Sequence, residues 1–318
     1  MRPCSTKIPT KKMDNNSTSK FWLHIPFELK GGNLAKSHGA KLTLLGHSAT
    51  LHVMPALGEA PSTAKEWVHW LMFDPMAESD ARKVVQSLHA RVPAFSVFTG
   101  AVGNVVLTLP TSGIHLASPT LGGRAFFTGQ EITIGDAAHT PKPTWASGYG
   151  FVSYTDHLLN GLNTCPEVSD ERLLAALELW AAASDENLPR TKFLTYMTIL
   201  DSLSMQAKRS ESVVRWIDTQ ILEAKKLGDP GISGALANLR RVSHKSALKA
   251  LITRAADISG LAAPDVAAKT KLAGALYDTR SNLSHQGSNA AVDLTGAREL
   301  AAFVLREAIM APGILDIE

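Results

Sequence analysis

The stretch Leu276-Tyr277-Asp278-Thr279-Arg280-Ser281-Asn282-Leu283-Ser284-His285-Gln286-Gly287 closes a run rich in Ala, Leu and Lys that begins near residue 267. Those residue types are strong helix formers, so the run predicts a helix. Gly287 is a natural stop signal for it. Arg280 and His285 are therefore expected in the last turns of that helix or just past its end, with Ser281 and Asn282 directly after the arginine. Much of the C-terminal half reads as a helical scaffold for this segment.

An arginine and a histidine close together suit phosphodiester cleavage. Histidine titrates near neutral pH, so it can take a proton from a ribose 2′-hydroxyl or give one to the leaving oxygen. Arginine stays charged and can hold the non-bridging oxygens as negative charge builds on phosphorus. An RNA's own 2′-hydroxyl as nucleophile requires no metal and no cofactor, and it confines the chemistry to RNA.

The spacing alone is weak. With 14 arginines and 11 histidines in 318 residues, chance supplies roughly half an Arg-x4-His match. Five residues on a straight helix also turn by about 140° beyond a full circle, so the two positions do not share a face. They converge only if the helix ends between them or a second copy of the chain brings its own pair across. The structural alternative is that both residues complement the helix dipole and hydrogen-bond its last carbonyls.

The pattern Tyr277-x-x-Arg280-Ser281-x-x-x-His285-x-Gly287 resembles the signature of HEPN domains, specifically the Apea-like group. Residues 171–183, Arg190 and residues 193–203 are similar to that group's two opening helices, and the resemblance covers about residues 168–311. It implies an all-helical, often dimeric bundle. It also implies a metal-independent endoribonuclease in which Arg280 and His285 are catalytic, Ser281 and Asn282 orient the phosphate or the histidine, and Tyr277 and Asp201 support them. Some members bind RNA or nucleotides without cutting, so a non-catalytic adaptor stays open. A toxin or phage-defence role follows from the same resemblance.

The rest of the chain bounds this reading. Length allows two domains with cores of their own. The fold class expected is α+β: a disordered basic leader over 1–20, a β-rich domain over 21–160 that senses a trigger ligand or protein or selects RNA, and a helical domain over 168–318. Residues 1–166 hold 14 basic and 10 acidic residues and residues 167–318 hold 18 and 19, so any RNA contact in the helical half must be a local cluster. Arg240, Arg241 and Lys245, with His244 among them, form the densest one; a solvated face is the alternative to phosphate contact. Two cysteines make no disulfide framework, which suits a reducing, cytoplasmic setting. No apolar run is long enough to span a membrane.

In the N-terminal half, residues 21–29 predict an edge strand, because Pro26 cannot donate to a ladder on both sides. Residues 41–45 and 49–54 predict a hairpin. Residues 67–73, 94–99 and 105–109 read as strands and residues 79–92 as a helix. The Gly-, Thr- and Pro-rich residues 111–145 read as loops with short strands such as 125–127 and 132–134. His115, His139 and His157 lack metal-ligand spacing. His47, His52, His69 and His89 read as surface or hydrogen-bonded core residues. Trp67 and Trp70 read as core more readily than as base-stacking platforms. In the C-terminal half, helices are expected at 171–183, 189–208 and 211–226. A short helix over 232–243 is expected to continue into 246–258. Pro264 opens the helix that carries Arg280, and 293–311 closes the chain.

Overall fold

A computed structural model describes residues 19–30, 34, 39–55, 67–103, 106–111, 113–117, 131–138, 155–228, 230–286 and 291–316. Residues 1–18 of the leader, the stretch 125–127, His139 and Gly287 lie outside the described residues. The chain begins with β1 (Phe21–Lys30), β2 (Lys41–Leu44), β3 (His47–Pro55) and β4 (Trp67–Met76). Then come α1 (Glu78–Gly103), β5 (Val106–Thr108), β6 (His115–Leu116) and β7 (Thr133–Asp136). The remainder is helical: α2 (Thr155–Thr164), α3 (Glu171–Asp185), α4 (Pro189–Leu203), α5 (Glu211–Lys226), α6 (Pro230–Asn238), α7 (His244–Ile258), α8 (Ala263–Gln286) and α9 (Leu294–Met310). A 3-10 turn, Pro312–Leu315, follows. The class is α+β, a mixed sheet followed by a helical region. Among the described residues, no helix is long and apolar enough to cross a membrane.

The sheet has the order β2-β3-β4-β1-β7-β6, and β5 also pairs with β1. All pairings are antiparallel except β6 with β7. β1 is therefore internal, not the edge strand that Pro26 predicts. One side of β1 pairs with β4, with Pro26 opposite Trp70. On its other side β7 covers Phe21 to His24 and β5 covers Glu28 to Lys30. Pro26 falls in the gap between them, where the missing N–H breaks no ladder. Gly135 of β7 sits against the Trp22 ring, at a place where a Cβ would overlap it.

A second correction concerns residues 94–99, which continue α1 as helix through Pro93. A short apolar run carries no period of its own. Here Ala94, Phe95 and Val97 extend the buried face begun by Ala81, Val84, Val85, Leu88 and Val92. That face joins the halves: one continuous core runs from the strands through α1 to α3, α4 and α9. The Trp180 indole of α3 donates to the Ser96 carbonyl of α1 at 3.3 Å. Arg91 of α1 donates to the carbonyls of Asn163 at 3.0 Å and Cys165 at 2.8 Å, closing the C-terminus of α2.

In the helical region α4 packs between α3 and α9, while α7 and α8 pair beside them. Asp170 caps α3, accepting from the Leu173 N–H at 2.8 Å, and Asp293 caps α9 through Gly296 N–H at 2.8 Å. α4 stops at Leu203, short of the expected 208, where the Ser204 N–H closes on the carbonyls of Leu200 and Asp201. Residues 232–258 are two helices, not one: α6 ends at Asn238, and Ser243 caps a new start by accepting from Ser246 N–H at 3.1 Å. That break sets His244 as the first residue of α7.

Candidate active site

α8 runs unbroken from Ala263 to Gln286 and contains both Arg280 and His285. The helix thus does not end between them, and that route to convergence within one chain is overturned. Buried Ala273 and Leu276 mark the face of α8 turned to the bundle. Helical spacing puts Tyr277, Arg280 and Ser281 toward that face. Positions 274, 278, 282 and 285 form another stripe. The side chain of His285 lies outside the described residues.

Arg280 reaches the last turn of α4. Its Nη2 lies 3.2 Å from Oδ2 of Asp201, with side chains 33% and 19% exposed. Asp201 is flanked by the buried Ile199, Leu200 and Leu203, so it sits in an apolar wall. Its second oxygen, Oδ1, is buried without a hydrogen-bond partner among the described residues. Burial pushes the Asp201 carboxyl above the usual carboxylate range, and the positive charges of Arg280 and His244 pull it back. A buried acceptor without a donor is uncommon enough to require an explanation, and functional sites are where such groups persist.

The other named residues separate into groups. Tyr277 is half-buried and packs on the core, Ser281 is half-buried, and Asn282 is exposed. In the basic cluster, Arg240 pairs with Asp218 at 2.6 Å and Lys245 with Asp278 at 2.6 Å. Arg241 is exposed and makes no side-chain pair among the described residues. Lys245, Lys249 and Lys271 line an open groove of about 810 Å³ between α7 and α8, alongside Gly274 and Asp278. The stripe of α8 that borders this groove is the one that position 285 extends.

Histidines of the sheet are of a different kind. His24 and His69 are buried, and desolvation drops each to a pKa of about 4. His69 accepts from the Leu34 N–H at 3.4 Å. Trp70 is buried core. His115 is exposed on β6, and the His157 side chain lies outside the described residues. Among the described residues no three metal-ligating side chains converge.

No family model, no curated protein and no solved structure matches this chain. The site accordingly stands on its own geometry. Two members escaped a reading of residue pattern alone. Asp201 is an acid inside an amphipathic helix, with only the resemblance to single it out. His244 reads as one cation of a basic cluster. The available signal was Ser243, whose capping role puts the next residue at a helix start.

Proposed function

We propose that this chain is a metal-independent endoribonuclease of the HEPN type, acting as a toxin or phage-defence effector in a reducing, cytoplasmic compartment. The observation that carries the reading is the Arg280–Asp201 pair. Asp201 holds the guanidinium by one oxygen in a partly dry site, and the remaining N–H donors stay available for phosphate oxygens. Substrate RNA would lie along the lysine-lined groove between α7 and α8. Its 2′-hydroxyl attacks the adjacent phosphorus and loses its proton to a histidine. The 5′-oxygen leaves with a proton from an acid, giving a 2′,3′-cyclic phosphate and a 5′-hydroxyl. Because Arg280 and position 285 lie on different faces of one straight helix, two copies meeting across a twofold axis would complete the site, with one His285 as base and the other as acid. Residues 21–160 would sense the trigger or select the RNA.

A second reading is a non-catalytic RNA- or nucleotide-binding adaptor. The unbroken α8 favours it, as do the carboxylates that neutralise Arg240 and Lys245. The deciding measurement is cleavage of cellular RNA in EDTA by purified protein. The nuclease reading expects cyclic phosphate ends, and a loss on the order of 10² to 10⁴ in rate for folded His285→Ala. Activity that vanishes in EDTA and returns with magnesium would overturn it. Unchanged cleavage by His285→Ala would do the same.

A further inference from the structure

A second polar site lies away from Arg280, where β5, α3, α4 and the start of α9 meet. A cavity of about 460 Å³ opens there, with Lys192, Tyr196, Thr295 and Arg298 on its walls and Trp180 beneath. An adjoining cavity of about 280 Å³ shares Trp180, Arg298 and Glu299 with it and adds Lys269 and Arg306. Lys192, Lys269, Arg298 and Arg306 are all half-buried, and Glu299 is the one carboxylate on either wall among the described residues.

Several cations elsewhere on this surface pair with carboxylates: Arg82 with Glu78, Arg91 with Glu167, Arg240 with Asp218 and Lys245 with Asp278. Lys192, Lys269 and Arg306 form no ion pair among the described residues, and the Lys269 ammonium instead lies 4.6 Å from the centre of the Phe303 ring. Arg298 lines both cavities and shares the first with Tyr196. Four partly desolvated cations facing one acid raise the local potential and favour an anion.

The spacing narrows the anion. Arg298 and Arg306 are eight residues apart on α9, about 12 Å of helix rise. Lys192 stands on the other side of Arg298, in the first cavity. The cations are strung along the cleft, giving two positions for negative charge that flank Arg298. A single phosphate would satisfy one of them. The size of the two cavities suits a small molecule, not a protein segment.

We propose that this cleft binds a small ligand carrying at least two linked phosphate groups, one held by Lys192 and Arg298 and the other by Arg298, Lys269 and Arg306. Val106 of β5 lines the same cavity as Lys192, and Trp180 below it is tied to Ser96 of α1. An occupant therefore bridges the sheet half and the bundle. The inference does not rest on RNA cleavage.

Calorimetry and thermal melting of the full chain with inorganic tripolyphosphate test it, with pyrophosphate, orthophosphate and sodium chloride at matched ionic strength beside it. Tripolyphosphate is expected to bind near one per chain and raise the melting temperature, with orthophosphate about tenfold weaker or more. Lys192→Ala and Arg306→Ala, on different helices, should each weaken tripolyphosphate by about tenfold, while Arg82→Ala on α1 should leave it unchanged. Circular dichroism confirms that each variant folds. Absence of a heat and of a melting shift at millimolar tripolyphosphate overturns the proposal. So does equal binding by the Lys192→Ala/Arg306→Ala double variant. A single-stranded RNA that displaces tripolyphosphate and depends more strongly on Lys192 and Arg306 would assign the cleft to RNA and overturn the small-ligand reading.

Discussion

The sheet and the helical bundle both bury titratable side chains, and they treat them in opposite ways. His24 and His69 lie inside the sheet, where desolvation drives each to the neutral form with a pKa of about 4. Asp201 lies in the wall of the bundle, where burial pushes its carboxyl up but Arg280 and His244 hold it back. The sheet histidines add polar atoms to a packed core. The Asp201 carboxylate positions a half-exposed cation. Burial alone thus makes a titratable group inert, whereas burial beside an opposite charge with one side open makes it useful.

Acid breaks this contrast most strongly. The folded pKa of His24 and His69 lies below the unfolded value, so the unfolded chain binds more protons between about 6.5 and 4. Stability is therefore full above pH 6.5 and lost as pH falls toward 4, by about 3 kcal/mol for each histidine at the lower end. His69→Gln, which keeps an acceptor and does not titrate there, should move the acid-unfolding midpoint to lower pH. An unchanged midpoint would mean that His69 does not drive acid unfolding.

Arg280 comes next. Arg280→Ala should cost on the order of 10² to 10³ in RNA cleavage, because the phosphate loses a preorganised charge. Arg280→Lys should fall almost as far, since lysine keeps the charge without the planar fork. The melting temperature should hold in Arg280→Lys, and a loss of cleavage that only tracks a loss of stability would reduce Arg280 to a structural partner of Asp201.

Asp201→Asn separates the two sides of the comparison within one residue. Burial is the larger influence on this carboxyl, so a neutral amide should leave the melting temperature at pH 7 unchanged or slightly raised. Cleavage should fall by about tenfold as the guanidinium loses its orienting partner. Equal activity would show that Arg280 needs no such support. The smallest effect belongs to Arg241, whose exposed charge has no side-chain partner among the described residues. Arg241→Ala should weaken RNA binding by a few-fold and flatten its salt dependence by about one unit of slope, measured by titration at several salt concentrations.

Several elements are legible in the amino-acid order. α5 occupies residues 211–226 as its apolar spacing predicts, α3 starts beside its capping Asp170, and the hairpin of β2 and β3 follows its alternation and turn. These signals are local: period, caps and turn residues act within a few positions of themselves. Residues 94–99 misled because a short apolar run carries no period, and only packing of Phe95 and Val97 against the core makes it helix. Pro26 was informative about hydrogen bonds but not about the edge. Whether a missing N–H is tolerated depends on where β5 and β7 stop along β1, which is a property of the assembled sheet.

The same division holds at the two sites. By itself, the sequence determined the α+β class, most of the C-terminal helices and a helix leading to Arg280. Only the tertiary structure decided that α8 stays helical through Gln286, that Asp201 and His244 are the charges acting beside Arg280, and that Lys192, Arg298 and Arg306 share a cleft. The physical reason is range. Helix formation depends on neighbours within about four residues along the chain. Charge pairing depends on distance in space, and Asp201 and Arg280 lie far apart in sequence until the packing of α4, α8 and α9 brings their helices together.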